Sequence, residues 1–113
     1  MLAVALSALV LAGPPPATVN GTRLAVSSWC WASHCGAPIS ASARTIRAKR
    51  GSTVRIELTF APAQAHFAIA GVPQAASVRG REVDVKATHS GGFTLNVSSA
   101  RGWVIYVGRL RAA

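Results

Sequence analysis

Acidic side chains are scarce in this sequence: Asp84 is the sole aspartate and Glu57 and Glu82 the sole glutamates, against twelve Lys+Arg. Any two-carboxylate chemistry of the glycosidase kind must come from those three residues. Glu57 reads as a solvated position on an amphipathic strand, and Glu82 and Asp84, beside Arg81 and Lys86, read as surface ion pairs. Histidine is also rare. His34, His66 and His89 could each serve a serine, but no nucleophile-elbow glycine pattern surrounds any Ser. The expectation is a protein that is not an enzyme. Met1 is the single methionine, so the His₂Cys site with a weak Met ligand of a blue-copper protein is not expected from a strand opening at His66. No cofactor is expected. The longest apolar run, residues 1–12, falls short of the roughly 20 residues a membrane helix needs. Charged residues make up 13%, against about 25% in an ordinary soluble domain. The surface must therefore rest largely on Ser, Thr, Gly, Gln and Ala.

The charge that is present is nearly all of one sign. The formal net charge is +9, and arginine supplies ten of the twelve bases. Such a chain is drawn to anionic surfaces by an attraction that weakens with salt. The expected partner is an anionic polymer, a membrane surface or an acidic protein. Specific nucleic-acid binding is not expected, because the densest basic cluster (Arg44, Arg47, Lys49 and Arg50) has no aromatic residue interleaved for base stacking. That cluster, with Arg79 and Arg81, is the candidate contact for an anionic partner. The bland reading, a merely solvated basic face, accounts for most charge runs.

Residues 1–12, MLAVALSALVLA, have the length and composition of a secretory apolar core. Val10 and Ala12 are small enough for the positions flanking a cut after Ala12, although no Lys or Arg precedes the run. Residues 13–27 then read as a lead-in and first strand, with a turn at Asn20-Gly21. Residues 28–38, SWCWASHCGAP, hold both cysteines and two of the three tryptophans. In an exported chain Cys30 and Cys35 are most simply a disulfide. On a strand, Trp29 and Trp31 point to one side and Cys30 to the other. Burial of both rings is the expectation, and an exposed aromatic contact through Trp29 and Trp31 is the alternative. A metal or redox site on Cys30, His34 and Cys35 is a further alternative, since thiolate and imidazole suit copper or zinc. The four-residue spacing does not match the two-residue redox motif.

The remainder alternates. Residues 53–60, TVRIELTF, place Val54, Ile56, Leu58 and Phe60 on one face and Arg55, Glu57 and Thr59 on the other. Further strands are expected in the second half of 39–48, at 66–70, along 78–87 and at 93–97. The segment 103–110 is apolar on both faces and is expected to sit centrally. Residues 71–76 read as a loop around Pro73. About seven short strands, with turn signals every eight to twelve residues, indicate an all-β chain: a single antiparallel β-sandwich, immunoglobulin-like, preceded by a signal peptide. The domain is expected to span residues 28–113.

Trp29-Cys30-Trp31, Cys35, residues 51–60 and residues 103–107 together resemble a loose group of small exported bacterial β-sandwich proteins, actinobacterial in character and mostly uncharacterised. The chain departs from that group in having Gly36-Ala37 after the second cysteine, where an acidic residue often stands. The resemblance implies a secreted or cell-envelope β-sandwich and carries no catalytic residues. The expected function is a non-catalytic binding or structural module. The alternatives are the metal or redox protein above and a small secreted inhibitor or adhesion module.

Overall fold

A computed structural model describes residues 13–36 and 43–113. Every regular element in them is a β-strand. The predicted leader, residues 1–12, lies outside the described residues, as do Ala37 and Pro38 of the predicted disulfide loop.

Two-residue turns set much of the chain path. Asn20 and Gly21, at φ 49° and 80°, close β1 (Ala17–Val19) onto β2 (Thr22–Arg23). Both central residues of this turn type need positive φ, which Asn and Gly adopt readily. The same geometry at Ala32 and Ser33 joins β3 (Ala25–Trp31) to β4 (His34–Gly36). After β5 (Thr45–Ala48) comes β6 (Thr53–Leu58), whose alternation matches its burial: Val54, Ile56 and Leu58 in, Thr53, Arg55 and Glu57 out. Ala70-Gly71 turns β7 (Gln64–Ile69) into β8 (Val72–Gln74). Gly80-Arg81 separates β9 (Ala76–Arg79) from β10 (Glu82–Lys86). The chain ends on the long hairpin of β11 (Gly91–Ser99) and β12 (Gly102–Ala112).

The strands form two sheets. One has the order β2-β1-β6-β10-β9 and the other β4-β3-β12-β11-β7-β8. In the second, β12 lends one edge to two partners: β3 lies antiparallel along Gly102–Val107, and β5 lies parallel along Arg109–Ala112. A register shift between Ile105 and Tyr106 marks a bulge in the β3 pairing. Strand β12 is therefore central, as its two apolar faces predict. The core forms where the sheets face each other. Ile56, Val83 and Val85 come from one sheet, and Ile69, Leu95, Val97, Val104 and Tyr106 from the other, each at most 2% exposed. Alternating inward side chains of both sheets are what hold a sandwich together.

Tyr106 shows how the lead-in is secured. Its ring is fully buried and its hydroxyl donates a 2.7 Å hydrogen bond to the carbonyl of Pro15. Burial pushes its phenol well above the ordinary range for tyrosine. Residues 13–16 are thus tied to the core strand, and Ala17 is buried immediately after them.

Three expectations change. The described residues hold twelve strands rather than about seven, because edge hairpins of two to four residues carry too little alternation to register as strands. The segment 71–76 is not a loop but includes β8 and the start of β9. The stretch 78–87 is not one strand but a hairpin folded at Gly80-Arg81.

Candidate functional site

Cys30 and Cys35 are directly opposed on β3 and β4, with Cα atoms 4.0 Å apart, and are joined by a disulfide. They staple a hairpin rather than close an irregular loop. Alternation sends Trp29 and Trp31 to the opposite side. Both are in the core, at 8% and 9% exposed, so the aromatic surface contact considered for them is withdrawn. Trp31 packs on Phe60 with ring centroids 4.7 Å apart. The Trp29 indole lies across Gly36, its cross-strand neighbour, where a Cβ would stand 2.5 Å from the ring. The residue after the second cysteine is glycine because the tryptophan occupies the space a side chain would need. With both sulfurs bonded to each other, Cys30 and Cys35 offer no thiolate to a metal. Among the described residues no cluster of three His, Cys, Asp or Glu side chains could hold an ion.

The three acids fall on a single face, the outside of the five-stranded sheet. Glu82 and Asp84, two apart on β10, lie between Arg55 of β6 and Arg79 of β9. Arg55 reaches Asp84 at 3.2 Å and Glu82 at 3.6 Å, and Arg79 reaches the same two carboxylates at 3.3 and 3.6 Å. The hydrogen bond that Arg55 donates to Asp84, followed by the charges of Glu82 and Asp84, raises the pKa of Arg55 above its ordinary value. The ion pairs expected at Glu82 and Asp84 exist, but their partners are Arg55 and Arg79 from neighbouring strands, not Arg81 and Lys86. This corrects the candidate set. Arg79 is engaged by carboxylates. Arg81 sits at the Leu58 end of β6, where its carbonyl accepts from the Leu58 amide. The Lys49–Ser52 turn is at the other end of that strand, about 20 Å away at ordinary strand rise.

The rest of the cluster is brought together, and enlarged. Parallel pairing of β5 with β12 sets Arg47 beside Arg111 and Thr45 beside Arg109. The Arg109 amide donates to the Arg44 carbonyl at 2.8 Å, and the Arg50 amide to the Ala113 carbonyl at 3.0 Å. Leu110 and Ala112 point inward, so Arg109 and Arg111 both point outward. The result is a basic end of the seven-stranded sheet formed by Arg44, Arg47, Lys49, Arg50, Arg109 and Arg111. No described ion pair joins any of them to a carboxylate side chain. Two open hollows flank Arg111. One, about 490 Å³, is lined by Arg47, Lys49 and Arg111. The other, about 470 Å³, is lined by Thr45, Ser90, Arg109 and Arg111. The Ser90 hydroxyl accepts from the Ala112 amide at 2.9 Å, which holds the turn before β11 against this end.

Arg109 and Arg111 are absent from the sequence-derived candidate set. Their signal was present in the alternating Arg-Leu-Arg of the last strand. Their proximity to Arg47 was not, because nothing local in residues 45–48 indicates a parallel partner some sixty residues away. The second omission is Trp103. At 37% exposed it is the most open of the tryptophans, and it lies on the outer face opposite Cys30.

No helix among the described residues is long and apolar enough to cross a membrane. Comparison with known protein families, with curated proteins and with solved structures returned no match to this chain.

Proposed function

We propose that this chain is an exported, non-catalytic binding module of immunoglobulin-like architecture that docks on an anionic partner through the arginine end of its seven-stranded sheet. One observation carries the reading. The β5–β12 pairing gathers dispersed arginines on a sheet that bears no carboxylate, while every acid sits on the opposite sheet. Net charge alone would not require that separation. A basic surface around concave hollows concentrates field and favours multivalent contact with an anion.

The immunoglobulin-like assignment draws support from strand order. The array β1-β6-β10-β9 opposite β12-β11-β7-β8 corresponds to strands A-B-E-D opposite G-F-C-C′ of that fold. The β3–β4 hairpin is an addition beside the last strand, and its disulfide replaces the inter-sheet bridge of antibody domains. Export draws support from the disulfide, since such bonds persist in oxidising compartments. A mass spectrum of the secreted protein, two hydrogens light and resistant to alkylation without reductant, is the expected result. Two alkylated thiols would overturn the export reading.

The docking surface is tested by two variants that remove the same charge. In one, Arg109 and Arg111 become Gln; in the other, Arg79 and Arg81 do. Elution from immobilised polyphosphate is followed against salt. The first variant is expected to elute at clearly lower salt and the second close to the parent. Equal shifts would mean that net charge, not this face, governs binding.

A further inference from the structure

The outer face of the seven-stranded sheet continues beyond the arginines, and its composition changes along the strands. Pairing of β12 with β11 and of β11 with β7 sets out rows across the face: Trp103, Ser98 and Gln64, then Ile105, Asn96 and His66, then Val107, Thr94 and Ala68. The next outward residue of β12 is Arg109, opposite Gly92. From Trp103 to Arg109 is about 20 Å at ordinary strand rise. Over that distance the face offers amides, hydroxyls and an imidazole around half-buried aliphatic side chains. It has no carboxylate; exposed Arg101, in the turn two residues before Trp103, stands at one end and Arg109 at the other.

We infer that this face is a binding track for an acidic polysaccharide, with sugar rings on Trp103 and its neighbouring amides and with charged groups at Arg109 and Arg111. The inference rests on the docking reading above and names its ligand class. An exposed indole offers a flat apolar surface with a polar edge, suited to the C–H face of a sugar ring. Asn96, Ser98, Gln64 and Thr94 supply both donors and acceptors, which match hydroxyl groups. The separation of ring site from charge site selects among polyanions. A polymer charged at every unit would lie over some 20 Å of track with no fixed positive charge. A glycan that carries its charges on only some rings matches a neutral stretch bounded by basic residues. A lipid surface would place the row of amides and hydroxyls between Trp103 and the arginines against an apolar layer, where unpaired polar groups are costly.

The test uses the full chain and three probes, hyaluronan oligosaccharides, inorganic polyphosphate and single-stranded DNA, with titration calorimetry as the readout. Trp103→Ala is expected to weaken hyaluronan binding about tenfold, the effect of roughly 1.4 kcal/mol, and to leave polyphosphate binding unchanged. Trp103→Tyr, which keeps a ring, retains most of the hyaluronan affinity. Replacing Arg109 and Arg111 by Gln weakens both. Trp103 is on the surface, so a melting curve suffices to show that its variants are folded. If Trp103→Ala binds hyaluronan as the parent does, the glycan inference fails while the docking reading stands. If the parent binds neither hyaluronan nor polyphosphate, both fail. If single-stranded DNA binds more tightly than hyaluronan and depends on Trp103, the track serves nucleic acid and the inference is overturned.

Discussion

Ala32 and Ser33 occupy a turn that asks both for positive φ, 51° and 69°. Neither residue favours that region, and each such placement costs on the order of 1 kcal/mol. The sister turn at Asn20-Gly21 meets the same demand with the residues that adopt it most easily. Replacing Ala32 by Asn and Ser33 by Gly is therefore expected to stabilise the domain by about 1 kcal/mol. The melting temperature should rise by roughly 4–8 °C. A calorimetric scan decides it, and an unchanged or lower melting temperature would mean that the Ala32 and Ser33 side chains make contributions beyond the turn. Tyr106 supports a prediction in pH. Its phenol titrates above the ordinary tyrosine value because it is buried. The unfolded chain loses that proton near pH 10 while the folded chain keeps it, so the unfolded state binds fewer protons. Stability is then full below about pH 10 and falls as pH rises, by up to about 1.4 kcal/mol per unit from this group. Urea midpoints at pH 8 and 11 should show the fall, and Tyr106→Phe should lessen it.

At the level of the strand, the β3–β4 hairpin is the element most dependent on a covalent bond. It is attached along a single edge of β12, and β4 itself has three residues. Closing so short a loop yields about 2 kcal/mol on the chain-entropy account. Replacing Cys30 and Cys35 by Ser is expected to lower stability by about that much in urea unfolding, with the sandwich retained, because Trp29 and Trp31 still pack on the core. Binding at the arginine end, carried by β5 and the far half of β12, should be unaffected. The same element shows what could be read from the residues. The shared face of Trp29 and Trp31 followed from spacing two apart, β6 and β11 followed from their alternation, and β12 from a run apolar on both faces. The hairpin form of the disulfide did not follow, because Ala32-Ser33 lacks the residues that normally announce such a turn. Strand β5 was located by Ile46, yet its parallel pairing with β12 decides where Arg47 lies, and that contact has no local signature. Arg44, Arg47, Lys49 and Arg50 stand together in the sequence, with Arg79 and Arg81 as a distant addition. The sheet kept four, separated Arg79 and Arg81 from them, and added Arg109 and Arg111.

Over the whole molecule, the charge distribution couples stability to ionic strength in a direction that can be worked out. The Arg55, Arg79, Glu82 and Asp84 network is attractive, but its arginines are more than half or nearly half exposed, and exposed pairs contribute little. Opposing it is a net charge of +9, with six of the twelve bases gathered at one end of one sheet. Neighbours such as Arg47 and Arg111 sit on adjacent strands, about 5 Å apart at the backbone. That is well inside the screening length of about 30 Å at 0.01 M salt and also inside that of about 8 Å at 0.15 M. Repulsion among them is relieved by salt more than the ion pairs are weakened, so the melting temperature should rise between low and physiological ionic strength. Removing Arg109 and Arg111 together should raise stability at low salt and flatten that dependence. A bound polyanion should act like salt at this end, raising the melting temperature at low ionic strength by mass action and less so at high. A melting temperature that instead fell with added salt would put the ion-pair network in control. Repulsion at the arginine end would then be too weak to govern stability, and the premise of a field concentrated there would fail.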